Sequence, residues 1–344
     1  MGGGLLSFGL VVGFTITALP FLLTHAGVPL YKAAAISATV MSPTFWAFLL
    51  QPLMDTGLTR RAYCWLMACI AAVCMGSALM LLSPARLGAT TALLSIAELA
   101  MVLYSGANGG WVAEFLPDGR RGAVSGWTNV ANLGGGAIGS LAIMSLAKRI
   151  PRPELALGMG AVIILGVIPT LWFPAPGRSG FRFREIFTKA MQAIWRAVRT
   201  QECLTGLALF LAPASAEAAI NLFSGMGPDF HTPAATVIWV TGLGCAITAS
   251  IGALIGGYLA DRMSRGLLYL GAGMLTGVLA IVLAFAPHTP GLFIFGALTY
   301  NGLAGVVYAA FNALGWQIVG KKTVVASTQL GLFSAAINFA IVYI

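Results

Sequence analysis

Eleven apolar runs, each about the length needed to cross a bilayer, divide this chain at 5–24, 33–54, 62–82, 90–112, 123–147, 155–174, 203–223, 235–259, 266–286, 292–316 and 324–344. A helix at 1.5 Å rise per residue needs about 20 residues to cross the hydrocarbon core. Inside that core no water is present to satisfy backbone N–H and C=O groups, so each run must close its hydrogen bonds within a helix. The pattern predicts an all-α, polytopic membrane protein with six spans, a polar centre, and then five more. Abundant glycine inside the runs (Gly134, Gly135, Gly136 and Gly139; Gly252, Gly256 and Gly257) fits close helix–helix packing in lipid.

The charges are few and clustered between the runs. The chain is 58% hydrophobic and 8% charged, against roughly 25% charged in soluble domains. A net charge of +9 would suit a nucleic-acid binder only if it formed a basic face, and here it is scattered among short connections. The positive-inside rule accounts for it. With the amino terminus in the cytoplasm, the inner connections hold fourteen Lys and Arg and the outer ones hold five. The expected location is a bacterial-type cytoplasmic membrane. No cleavable signal peptide is evident. The five cysteines lie in or beside apolar runs without C-x-x-C spacing, as packing thiols do.

The polar centre, Pro174 to Glu202, carries Arg178, Arg182, Arg184, Lys189, Arg196 and Arg199. Phe183, Ile186, Phe187, Ala190, Ile194 and Val198 recur at helical spacing opposite these cations. A basic amphipathic helix lying in the membrane interface is expected, with a simple solvated linker as the alternative. The expected organisation is residues 1–174 as an amino-terminal six-helix half, 175–202 as a cytoplasmic amphipathic linker, and 203–344 as a carboxyl-terminal half of five spans.

The halves repeat each other. Asp55 followed by Arg60 and Arg61 closes the second run, and Asp261 and Arg262 followed by Arg265 close the eighth, about 206 residues later. Tyr104-x-x-x-Asn108 in the fourth run is echoed by Tyr308-x-x-x-Asn312 in the tenth, about 204 later. Two matches at nearly one offset point to the parallel duplication found in many secondary transporters. A twelfth span is then expected after Ile344.

These residues resemble the major facilitator superfamily. The loops after the second and eighth runs are similar to its G-x-x-x-D-x-x-x-R-R loop motif. Within the superfamily the likeness is to the AmpG-type branch of muropeptide, acetyl-CoA and siderophore permeases. It is carried by Gly13-Phe14 through Leu19-Pro20, Pro52-Leu53-Met54-Asp55, Leu116-Pro117 with Arg121-Gly122, and Ser327-Thr328-Gln329-Leu330-Gly331-Leu332-Phe333-Ser334. Two features depart from that branch. Leu50-Gln51 stands where it usually has a tryptophan before the proline. Gly109 and Val112 stand where it tends to carry an aspartate and an arginine. The resemblance implies two six-helix bundles around a cavity lined by spans one, four, seven and ten, the twelfth helix apparently missing here.

A charge within a span is costly, which makes it a functional candidate. Glu98 lies about eight residues below the outer end of span four, and Glu217 about six below that of span seven, four residues after Pro213. Each is a candidate to bind a proton or a cationic group; a structural carboxylate near the outer water is the alternative. Tyr104 with Asn108 and Tyr308 with Asn312 each share a helix face. Asn221, Tyr300 and Asn301 add outer-half donors and acceptors on spans seven and ten, and the two Tyr/Asn pairs are read equally as cavity lining or as interhelical glue. Asn129 and Asn132 are expected to bond between helices. Asp55, Arg60, Arg61, Asp261, Arg262 and Arg265 are expected to gate the cytoplasmic side through charge-assisted bonds present in one conformation, with topology alone as the alternative.

Other signals lead nowhere. Gly315-x-x-x-x-Gly320-Lys321-Lys322 lacks the hydroxyl residue and the strand of a phosphate loop. His25, His231 and His288 lack metal-ligand spacing, and Ser215 and Glu217 fall on different helix faces. The expectation is therefore not an enzyme, with no cofactor or metal. It is a secondary active transporter, proton-coupled, moving a small-molecule solute through the lipid bilayer by alternating access, without nucleic acid and as a monomer. The alternative is a transport-inactive sensor or receptor on the same fold.

Overall fold

A computed structural model of the chain describes residues 2–55, 57–147, 149–174, 188, 191–192, 195, 198–212, 220, 222–319 and 326–343. Every regular element among them is helical. Eleven helices follow the apolar runs: α1 (Gly3–His25), α2 (Leu30–Met41), α3 (Arg60–Leu81), α4 (Leu87–Phe115), α5 (Arg121–Leu146), α6 (Arg152–Leu165), α7 (Gln201–Leu211), α8 (Ala234–Ala260), α9 (Arg265–Phe285), α10 (Pro290–Val319) and α11 (Ala326–Tyr343). Eight candidate spans among the described residues are long and apolar enough to cross a membrane. The surface is inside-out relative to a soluble protein: Phe285, Leu157 and Trp172 are 86%, 75% and 74% exposed, as side chains facing lipid tails are.

The second span departs from the continuous helix expected at 33–54. It breaks after Met41 at Ser42-Pro43, continues as a short turn at Pro43–Trp46, and finishes in two 3-10 turns, Ala47–Leu49 and Gln51–Asp55. Pro43 and Pro52 have no N–H to donate, so the α ladder cannot run through either. The tighter winding turns Gln51 inward and sets Asp55 at the very end of the span. Two other helices carry a π-helical turn, Phe14–Ala18 in α1 and Val240–Gly244 in α8.

Packing within and between bundles relies on small residues. Cβ atoms built on Gly13, Gly122 and Gly252 would fall closer than 3.0 Å to backbone atoms of Gly136, Gly257 and Gly302, respectively. These glycines let α1 meet α5, α5 meet α8, and α8 meet α10 backbone to backbone. The first bundle has its own apolar core running from Leu5 to Val167. Contact between bundles runs through α5 against α8 and α10, and through α11 against α4 and the last turns of the second span.

Part of the sequence reading falls outside the described residues. Of the basic central segment, Thr188, Met191, Gln192, Trp195 and Val198 are described as helical, and Arg199 sits 4.5 Å over the Trp195 ring. Glu217 and Asn221 lie outside the described residues, as do Pro213, Lys321 and Lys322.

Candidate functional site

Two features sit where the bundles meet: a polar cavity at mid-depth, and a bonded network at the end that carries the Asp55 and Asp261 loops. That end is called the basic end below.

The network begins with helix starts. The first N–H groups of any helix lack an intrahelical acceptor, and an oxygen that takes the N2 or N3 donor caps it. At α11, which begins at Ala326, Asp55 supplies both oxygens from the other bundle. Oδ1 accepts from Ser327 N at 2.9 Å; Oδ2 accepts from Thr328 N at 2.9 Å and from the Thr328 hydroxyl at 2.8 Å. At α5, which begins at Arg121, Asp261 does the same in the reverse direction. Its oxygens accept from Gly122 N at 2.7 Å and Ala123 N at 2.8 Å. Each aspartate therefore caps the N2 and N3 donors of a helix in the opposite bundle, where the helix dipole also favours negative charge.

An arginine backs each aspartate. Arg60, 4% exposed, reaches Asp55 Oδ1 at 3.2 Å and Glu114 Oε2 at 3.3 Å, and donates to the Ser327 hydroxyl. Arg265 lies 3.7 Å from Asp261 and donates to Gln317 Oε1 at 3.0 Å, to the Asp118 carbonyl at 2.6 Å and to the Ala260 carbonyl at 3.1 Å. The correspondence of Asp55 with Asp261, Arg60 with Arg265, Glu114 with Gln317 and Gly122 with Ser327 keeps an offset of about 205 residues. Ser125 adds a further bond between bundles, its hydroxyl donating to the Ala309 carbonyl at 2.7 Å. Arg61 and Arg262 act locally. Arg61 donates to the Phe173 carbonyl, while Arg262 lies 3.4 Å over the Tyr258 ring and bonds its own helix.

Deeper in, a cavity of about 160 Å³ opens between α1, the broken second span, α4, α5, α10 and α11. Its polar lining is amide-rich: Gln51, Asn108, Asn129, Asn132, Asn312 and Asn338, joined by Tyr308 and several hydroxyls. No Asp, Glu, Lys, Arg or His is among the described residues that line it. A larger groove of about 610 Å³ between α7 and α10 is a shallow opening at the basic end, away from these amides.

The residues singled out from sequence separate here. Asn108, Tyr308 and Asn312 line the cavity. Tyr104 does not: it is fully buried, and its hydroxyl donates to the Gly4 carbonyl within the first bundle. Tyr300 packs edge-on against Phe223 at 5.5 Å, and Asn301 donates to its own helix at the Ala297 carbonyl, 2.9 Å away. Glu98 is fully buried outside the lining, and neither carboxylate oxygen makes a hydrogen bond to a described protein group. Asn129 donates to the Ser125 carbonyl one turn back along its own helix rather than across to another.

Several contributors had no place in the sequence reading as site residues: Gln51, Asn129, Asn132 and Asn338 in the cavity, and Glu114, Gln317, Ser327 and the Gly122 and Ala123 amides at the basic end. One signal for the second group was available. Carrying the repeat offset from Arg121-Gly122 lands on Ala326-Ser327, two helix starts that need a capping oxygen.

No protein-family model matches the sequence, and no curated protein sequence matches it. Solved structures do match. The human organic anion transporter MFSD10 (TETRAN) superposes with a TM-score of 0.68 at 16% identity, over 99% of this chain and 92% of that one. The proton:xylose symporter XylE, bound to 6-bromo-6-deoxy-D-glucose, gives 0.71 at 14% identity over 99% and 86%. The E. coli fucose:proton symporter FucP gives 0.70 at 14% identity over 99% and 90%. At these identities the likeness establishes the fold alone: the chain has the all-α polytopic fold of those transporters.

Proposed function

We propose that this chain is a secondary transporter that carries a small, uncharged, polar solute across a cytoplasmic membrane by alternating access. The observation that carries the reading is the amide-lined cavity between two bundles, whose described lining holds no charged side chain, closed at one end by two corresponding aspartate caps that cross between them. Amides and hydroxyls both donate and accept, which suits a neutral solute with several hydrogen-bonding groups. A charged solute would need a countercharge. Its volume of about 160 Å³ lies below the roughly 300–1,000 Å³ of sites for drug-sized ligands, so the solute is small.

The basic end is the cytoplasmic end, because fourteen of the nineteen Lys and Arg belong to the connections on that side. Both aspartate caps between the bundles lie there, so this conformation is shut towards the cytoplasm. Transport then requires the two caps to break as the bundles rock, and to re-form afterwards. Protons drive the cycle through Glu98, whose buried carboxylate makes no hydrogen bond to a described protein group and is costly to keep charged within a span. Glu217 is the second candidate.

A transport-inactive receptor is the other reading, favoured by the separation of Glu98 from the cavity lining, which leaves solute and proton without a shared contact. Counterflow in proteoliposomes decides. Liposomes loaded with unlabelled sugars, polyols and neutral amides are diluted into tracer of each. Tracer accumulation in any arm supports transport; binding without accumulation in every arm supports the receptor and removes the transporter reading.

A further inference from the structure

Two tryptophans occupy matching places in the repeat, and their indole N–H groups meet different surroundings. Trp111, near the end of α4, donates to the Pro174 carbonyl at 2.8 Å. Trp316, 205 residues later near the end of α10, is 3% exposed, and its Nε1 makes no hydrogen bond to a described protein group. An indole nitrogen can only donate, and a buried one ordinarily has an acceptor. Trp65 Nε1 is sealed in without a partner, whereas Trp316 Nε1 keeps access to the central cavity that its residue lines.

A glycine across the seam leaves that donor uncovered. Gly109 of α4 lines the same cavity from the other bundle, and a Cβ there would stand 3.7 Å from Trp316 Nε1 and 3.2 Å from Leu330 Cδ1. Trp316 is also the last lining residue of α10 before the basic end. The next residue of α4, Gly110, packs on the closure itself: a Cβ there would fall closer than 3.0 Å to Arg60 Nη1 and to the Ser327 hydroxyl. The free donor therefore stands at the cavity floor, and the glycine facing it is one residue along α4 from the bonds that shut the basic end.

We infer that Trp316 is a specificity-determining residue: its indole N–H donates to a neutral hydroxyl, carbonyl or ether oxygen of the solute, held in the cavity between Trp316 and Gly109. A carboxylate or phosphate oxygen does not fit, because the described lining holds no cation to balance it. In the absence of solute, water accepts from Nε1, and the solute oxygen replaces that water. Since the indole and the glycine belong to different bundles, the oxygen is bound at the seam that parts during rocking. The inference rests on the neutral-solute reading of the cavity for its ligand, but concerns recognition and not translocation.

The test is a double cycle of residue and solute oxygen on the purified full chain. Pentoses, hexoses, polyols and small neutral amides are first scored for binding to the wild type by thermal shift and tracer binding. Analogues of the best binder, each lacking one oxygen, are then measured against wild type and Trp316→Phe. One analogue should lose about 10-fold or more in affinity in the wild type, as expected when a buried donor is left without its acceptor. The same deletion should cost less than about twofold in Trp316→Phe. Trp111→Phe, whose lost bond lies outside the cavity, is the control and should keep the full penalty. A wild type indifferent to every deletion, or a penalty unchanged in Trp316→Phe, overturns the inference and leaves the neutral-solute reading standing. Should Trp316→Phe not fold or not bind, Gly109→Ala takes its place, its Cβ covering the N–H, with the same two outcomes. A wild type that binds none of the panel overturns the neutral-solute reading, and the inference with it.

Discussion

Asp55 Oδ2 lies 2.9 Å from the backbone nitrogen of Thr328 and 2.8 Å from its hydroxyl, a cap supplied to one bundle by the other. Asp261 and Ala123 stand in the mirrored relation at 2.8 Å. Because each carboxylate belongs to one bundle and each helix start to the other, neither bond survives separation of the bundles at this end.

The two caps should not be equal in strength. Asp55 is backed by an arginine 4% exposed, whereas Arg265 stands 3.7 Å from Asp261 and shares itself with Gln317 and two carbonyls. Asp55→Ala leaves Arg60 buried with only half its charge partners, a loss of about 3–5 kcal/mol. Asp261→Ala removes chiefly a cap, about 0.5–2 kcal/mol. Spin labels at Gly119 and Met263 should report a larger shift towards separated bundles for Asp55→Ala; equal shifts would contradict the asymmetry.

Arg60 should not tolerate lysine. Its guanidinium serves Asp55, Glu114 and the Ser327 hydroxyl at once, a fork that a single ammonium cannot reproduce. Arg60→Lys is expected to lower the melting temperature in detergent nearly as far as Arg60→Ala, and Arg265→Lys to lower it much less. A wild-type melting curve for Arg60→Lys would show that charge alone suffices.

Room at the seam between α5 and α8 is already exhausted. A Cβ on Gly257 would fall 2.5 Å from the Gly122 carbonyl, so neither backbone can retreat without parting the bundles. Gly257→Ala is expected to destabilise the closed arrangement by about 1–3 kcal/mol. Gly277→Ala, on α9 with nothing within 4 Å of the added atom, is the control and should leave it unchanged. The same label pair measures both.

Coupling should be separable from binding at Glu98. Glu98→Gln keeps the shape of the side chain and removes the exchangeable charge. Uptake driven by an imposed pH gradient should fall at least about tenfold, while counterflow of the same solute, which needs no net proton movement, persists. Unchanged gradient-driven uptake would assign the proton elsewhere, with Glu217→Gln as the next variant.

The positions of the spans were legible because the bilayer imposes both length and composition: α3 and α9 begin and end within two residues of the apolar runs. The duplication was legible too, since short loops between spans keep their charges in register. The break in the second span was only half legible. Pro43 and Pro52 stand in plain view, yet many membrane helices accommodate proline when neighbours re-satisfy the freed carbonyls.

Sequence by itself determined the helices, their order, the repeat and the side on which charge gathers, because each follows from hydropathy and spacing along one dimension. Tertiary structure alone decided which polar groups meet. Tyr104 and Tyr308 occupy matching places in the repeat, yet one bonds Gly4 inside its own bundle and the other lines the cavity. Helical spacing says which residues share a face, but not what that face turns towards. The donors that hold Asp55 and Asp261 are backbone N–H groups at helix starts, which carry no side-chain signature. Only the packing of one bundle against the other brings an aspartate to them.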